Sequence, residues 1–178
     1  SPRREPRLAC AHGRKWALSM GLLRRLIPGD DRPTPAAKHR AEEDVALWVH
    51  VNDLHVNSTV ALGPPRVKRG DGGWYYASPA QRWLLDCWLD FWDQVEAQKQ
   101  ALGATVYTII DGDAVDINVH SKYQLVEYGE PNIIVDMGLE VCEPARQVSD
   151  YLFVIRGTEA HTGPQGSLEE SLARQLHA

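Results

Sequence analysis

The chain has 178 residues, 43% of them hydrophobic and 24% charged, which suits one globular core and excludes collagen-like, disulfide-scaffold and wholly disordered chains. No run approaches the roughly eighteen apolar residues of a membrane helix. The three scattered cysteines, Cys10, Cys87 and Cys142, supply neither a disulfide framework nor a CxxC knuckle, which points to a reducing, cytoplasmic compartment.

The net charge of −5 hides an asymmetry: residues 1–40 hold ten Lys/Arg against three Asp/Glu, while residues 41–178 carry a balance of −12. The pattern predicts a poorly ordered basic arm over 1–40 followed by an acidic domain over 41–178. An acidic domain meets nucleic acid poorly unless cations neutralise part of it. Within the arm, prolines and the Gly29-Asp30-Asp31 turn leave one apolar stretch, Trp16 to Ile27. With Arg24 and Arg25 beside its leucines, this stretch could form a basic amphipathic helix for a membrane surface, a partner or a phosphate backbone.

From Ala41 the punctuation becomes regular. Val45 to Val51 is a short β-branched and aromatic run that stops at Asn52-Asp53, as a buried strand delivering polar residues into a loop would. Residues 57–77, broken by Gly63-Pro64-Pro65 and Gly70-Asp71-Gly72-Gly73, read as loop. A helix begins at Ser78, an N-cap residue followed by Pro79. It repeats apolar residues at Leu84, Cys87, Trp88, Phe91, Trp92 and Val95 and stops at Gly103. That spacing assigns Trp83, Trp88, Phe91 and Trp92 to core or interface rather than to base stacking.

Ala104 to Ile110 is an uncharged β-branched run, expected as a strand buried on both faces and ending at Asp111-Gly112-Asp113. A helix from about Asn132 to Val148, a strand over Tyr151–Ile155 and an amphipathic helix over Ser167–Leu176 complete the chain, the last with Ser167 and Glu170 as a capping box. Strand–helix–strand alternation predicts an α/β layered sheet with flanking helices and parallel strands.

Each predicted strand ends in potential metal ligands: Asp53 and His55, then Asp111, Asp113 and Asp116, then Glu159 and His161. In open α/β sheets the carboxyl ends of the strands form one rim, so three distant segments converge on one crevice. Crowded carboxylates stay ionised when a cation sits among them, and mixed carboxylate and imidazole donors suit Mn²⁺, Fe or Zn²⁺ better than Mg²⁺ or Ca²⁺. No GxGxxG or GxxxxGK[ST] phosphate loop occurs, which sets a nucleotide-binding domain aside.

Asp53-Leu54-His55, Gly112-Asp113-Ala114-Val115-Asp116 and Gly157-Thr158-Glu159-Ala160-His161 resemble, in order and spacing, the D-x-H, G-D-x-x-D and G-N-H-[DE] motifs of calcineurin-like metallophosphoesterases, most nearly those carried by phages and prophages. The resemblance implies an α/β sandwich of which this chain looks like the first half, truncated before the family's later histidine ligands. It implies two divalent ions, Mn²⁺ ahead of Fe, Zn²⁺ or Mg²⁺, held about 3.5–4 Å apart and activating a water against a phosphate ester.

Carried over by position, Asp53, His55 and Asp113 are metal ligands, with Asp113 as the bridge, and Asp116 orients a ligand or a loop. Thr158 stands where the family has asparagine and Glu159 where it has histidine, so Glu159 is expected to supply a ligand oxygen and His161 the general acid. Trp74 and Tyr75, in the glycine-rich segment, are the candidate substrate contacts. A phage-like relative implies DNA or another phosphodiester as substrate and a host cytoplasm as location. A half sandwich would leave a sheet edge and an apolar face uncovered, favouring a homo-oligomer. The competing reading is a non-catalytic domain that keeps the fold as a metal-binding or interaction module.

His50 is expected as a core or cross-strand residue, Asp111 as a turn residue, and His120 and His177 as bystanders.

Overall fold

The computed structural model describes residues 45–117, 124–162 and 167–178. The predicted basic arm and His120 lie outside them. Three strands, β1 (Ala46–Asn52), β4 (Thr105–Asp111) and β5 (Tyr151–Ile155), form a wholly parallel sheet in the order β1-β4-β5. Between β1 and β4 the chain makes a two-stranded antiparallel hairpin, β2 (Arg66–Lys68) and β3 (Trp74–Tyr76), and then helix α1 (Pro79–Leu102). Helix α2 (Pro131–Val148) joins β4 to β5, and the single-turn α3 (Glu159–Thr162) and α4 (Ser167–Leu176) follow. Among the described residues no helix is long and apolar enough to cross a membrane.

The α/β expectation holds at this level, and its strands and longer helices fall within a residue or so of their predicted bounds. Helix α1 starts where its cap chemistry says it should: the Ser78 hydroxyl accepts from the Gln81 N–H, and the Gln81 side chain accepts from the Ser78 N–H. It ends at Gly103, which adopts the left-handed conformation that suits glycine.

Residues 57–77 differ from the expected loop, because β2 and β3 lie inside them. Three residues per strand are too few to display a period of two. What holds the hairpin is tertiary. Val67 is buried, and the half-buried Tyr75 packs on the core while its hydroxyl donates to Gln81 Oε1 at 2.6 Å.

Both crossover helices cover one face of the sheet. Val49 and Val106 from the strands pack with Trp92 and Val95 of α1 and with Ala145 and Val148 of α2. Burial of Trp92 to 1% exposure makes it the largest side chain fully enclosed, and its truncation to alanine should cost ~3–5 kcal/mol. A second cluster joins Ile110 and Val115 to Met137 and Val141 of α2 and to Leu168, Leu172 and Leu176 of α4. Gly138 lets α4 come this close, since a β-carbon there would sit 3.0 Å from Val115 and 3.2 Å from Leu172.

The opposite face is open among the described residues, which corrects the expectation that β4 is buried on both sides. Val106, Thr108 and Ile110 are buried, whereas the alternate residues of β4 are half-buried. On that open face Trp48, Tyr107 and Tyr151 stack across the three strands, with ring centroids 4.7 and 4.8 Å apart. Phe153 and Ile155 are exposed beside them. His50 makes its expected cross-strand contact there, 2.9 Å from Asp111. Of the aromatic residues of α1, Trp92 is buried and Trp88 half-buried against the core, but Trp83 and Phe91 are exposed, because the covered stripe of the helix is narrower than its apolar sequence.

Candidate metal centre

The three segments that follow β1, β4 and β5 are laced together by their backbones. After β1, Leu54 and Val56 turn inward and are buried, while the alternate residues Asp53, His55 and Asn57 take positive φ angles of 53°, 45° and 93°. The His55 N–H donates to Asp113 O at 2.9 Å, the Val56 N–H to Ala114 O at 3.1 Å, and the Asp116 N–H returns to Val56 O at 2.7 Å. After β5, the Ile117 N–H donates to His161 O, and the turn of α3 starts from the Thr158 carbonyl, which accepts from the His161 and Thr162 N–H groups.

These connections bring His55, Asp113 and His161 together, each half-buried, with one donor atom of each within 4.8 Å of the other two. The two imidazoles meet edge to face at 4.6 Å between centroids. Asp116, 4% exposed, lies beneath both: its Oδ1 is 3.3 Å from His161 Nδ1, and its Oδ2 is 3.9 Å from His55 Nδ1. Asp113 has φ 47°, and its Oδ1 accepts from both the N–H and the hydroxyl of Thr158, at 2.8 and 3.2 Å.

Asp53 stands outside this group of three, with a side chain 63% exposed and its Oδ1 3.6 Å from His55 Nε2. Glu159 is exposed at the first position of α3 and is also outside the group. The third converging donor is therefore His161, two residues beyond the position at which the motif places a ligand. One turn of helix carries it back over Asp113.

Of the two candidate substrate contacts, Trp74 is 52% exposed, whereas Tyr75 points inward to Gln81. Strand alternation places Tyr76, not Tyr75, on the outer face with Trp74. A groove of about 550 Å³ runs beside the centre, with Asp53, Leu54, Leu62, Leu84 and Trp88 on its walls.

The donor set fits a divalent cation. His55 Nδ1 is buried and has no hydrogen-bond partner, an arrangement that proteins rarely leave without a reason. One carboxylate with two imidazoles could hold a metal ion. Of the five non-glycine residues at positive φ among the described residues, four belong to these segments, and such backbone strain gathers at functional sites.

Three contributors were not legible as such in the sequence. Asn57, fully buried, donates to the carbonyls of Asp116 and Glu127 and accepts from the Glu127 N–H. Glu127 is buried too. Burial pushes its carboxyl up, but N–H bonds from Gly70, Gly129 and Tyr128 and the nearby Arg69 charge outweigh this and hold it below the usual range.

The third is Glu169 of α4, 1% exposed. Burial raises its carboxyl above the usual range against the N–H bonds from Gly157 and Ala114, and the Asp113 charge adds to the rise. A signal for it exists in the sequence, since Glu169 is in helical register with Leu172 and Leu176 on the apolar stripe. A charge on such a stripe asks for a partner. Comparison of the chain with family models, with curated proteins and with solved structures finds no match.

Proposed function

We propose that this chain is a divalent-metal-dependent phosphoesterase of the calcineurin-like type. The observation that carries the reading is the convergence of His55, Asp113 and His161 from the ends of three parallel strands, the first two at positions where the motif resemblance calls for ligands and the third two residues beyond such a position. Mn²⁺ is the ion that the donor set and the resemblance favour together. A cation bound there would supply a hydroxide-like nucleophile from water and neutralise the charge developing on a phosphoryl group.

The chain's own residues prepare that site. Thr158 occupies one oxygen of Asp113 and leaves the other for the ion. Asp116, set against Nδ1 of His161, favours the tautomer in which Nε2 is the free donor. His161 thus serves as a ligand in this reading, and Asp53 and Glu159, exposed at the margin, are the groups available for a second ion or for the proton of the leaving oxygen.

Support for a phosphodiester substrate comes from the hairpin. Its outward residues are Arg66, Lys68, Trp74 and Tyr76, all exposed, with the Arg66 guanidinium 5.5 Å above the Trp74 ring. Cations beside flat aromatic rings suit a nucleic-acid strand.

Calorimetric titration with Mn²⁺, with bis-p-nitrophenyl phosphate turnover followed in the same samples, tests the proposal. Binding and turnover, both lost in His55→Ala and His161→Ala, are the expected result. Absence of binding overturns it. Binding without turnover favours the second reading, a metal-binding interaction module, for which the exposed positions of Asp53 and Glu159 outside the converging group speak.

A further inference from the structure

Two of the three converging donors hang on loops from different strands, Asp113 after β4 and His161 after β5. Nothing in strand pairing fixes the separation of those loops beyond Asp111 and Ile155, where the ladder ends. Past that point the Asp113 side chain meets Thr158 and the Ile117 N–H meets the His161 carbonyl, and one side chain from outside both loops takes an N–H from each. Glu169 Oε1 accepts the Ala114 N–H at 2.8 Å and Oε2 accepts the Gly157 N–H. These are the amides immediately after Asp113 and immediately before Thr158. Glu169 is held in turn by α4, whose neighbouring Leu168 and Leu172 are buried against α2 and the core.

The two loops touch so closely that a β-carbon at Gly157 would run into the Asp113 backbone nitrogen and Oδ1. Their register there is set by hydrogen bonds rather than by side-chain packing.

We infer that Glu169 is a positioning residue for the metal centre: its carboxylate ties the Asp113 loop to the Thr158–His161 turn and so fixes the spacing of the donors. The consequence runs through Thr158. Once Gly157 is anchored, the Thr158 N–H and hydroxyl reach Asp113 Oδ1, and the Thr158 carbonyl starts the turn that carries His161. A carboxylate suits the task because it presents two acceptors to two diverging N–H groups. Glutamine has one acceptor oxygen and would set its NH₂ against the second amide.

This inference rests on the metal reading of the site, and its test separates the two. Mn²⁺ affinity, the visible absorption of the Co²⁺-loaded protein, and amide exchange in the metal-free protein are compared for wild type, Glu169→Gln and Leu172→Ala. The leucine variant loosens the packing of α4 but leaves the carboxylate in place.

In Glu169→Gln, Mn²⁺ affinity is expected to fall by about 10–100-fold, the Co²⁺ spectrum to change, and exchange to quicken at Ala114 and Gly157. Leu172→Ala should lower the melting temperature with little change in affinity. Glu169→Asp, too short to span both amides, gives the same comparison if the glutamine variant does not fold.

Unchanged affinity and spectrum in a folded Glu169 variant overturn the inference while leaving the metal reading intact. So does an equal loss of affinity in Leu172→Ala at an equal loss of melting temperature. A wild type that binds neither ion overturns the metal reading, and this inference with it.

Discussion

At the rim where β4 and β5 begin, Asp150 accepts the Val106 N–H at 2.8 Å and the Lys99 ammonium at 2.9 Å, and Lys99 also donates to the Val148 carbonyl. At the rim where the same strands end, His55 Nδ1 is buried without a hydrogen-bond partner, and Asp53, His55, Asn57 and Asp113 all have positive φ. One end of the sheet thus pairs its polar groups without placing any non-glycine residue of the pairing at positive φ. The other holds residues in conformations that side chains avoid, through hydrogen bonds arriving from distant segments: Asn57 from the first, Glu127 from the second, Glu169 from the last. Strain of this kind persists only where surrounding structure over-determines it, and here it gathers on the side that carries the candidate ligands.

The sharpest way to break this contrast is Gly157→Ala. With its β-carbon directed into Asp113, the variant is expected to lose about 4 kcal/mol or more and all Mn²⁺ binding, read by urea unfolding and calorimetry. A stable, metal-binding variant would show that the two loops do not need to meet. Next in size, Asp113→Asn should weaken Mn²⁺ binding about 100-fold while Asp111→Asn, two residues away on the open face, leaves it unchanged. Equal effects in a titration would sink the assignment of Asp113 to the site.

Asn57→Ala removes two donated hydrogen bonds and one accepted bond at a buried position and leaves alanine at φ 93°. A loss of ~2–4 kcal/mol follows. Asn57→Gly, free of the conformational penalty, should recover part of it. Identical losses in the two variants would mean that the left-handed backbone contributes nothing.

The smallest effect belongs to the other rim. The Val106 N–H, foremost, and the Lys99 ammonium hold the Asp150 carboxyl below the usual aspartate range. The folded chain therefore binds that proton less readily than the unfolded chain. The stabilisation is complete above the ordinary aspartate value and is lost as pH falls through the lowered one. Asp150→Asn should flatten this acid limb in melting curves taken from pH 5 downward, by less than about 1 kcal/mol because the side chain is half in solvent. A limb as steep as in the wild type would assign the acid loss to other carboxylates.

How far each rim was legible follows from the range of the forces involved. Helix α1 was readable because Ser78, Pro79 and Gly103 act on their own backbone neighbours. The strands were readable because β-branched runs between polar stops have few other uses. The ligand-bearing loops were readable in part. His55 and Asp113 follow directly from the strand ends, but that Asp53 stands outside the converging group and that His161 rather than Glu159 joins it depended on the path of the loops and one turn of helix, which no periodicity over four residues can announce. That Tyr75 turns inward while Tyr76 is exposed was hidden for a similar reason. A three-residue strand gives no phase, and Val67 and Gln81, not the local sequence, turned Tyr75 inward.

By itself, then, the sequence determined an α/β chain with three strands, the bounds of its main helices and a set of acids and histidines delivered to one rim, because these depend on local propensity and hydrophobic period. The tertiary structure alone decided which of those groups converge, which face of the sheet is covered, and that Glu169 and Asn57 hold the rim together. Those outcomes depend on contacts between residues far apart in the chain, where spacing carries no record of distance.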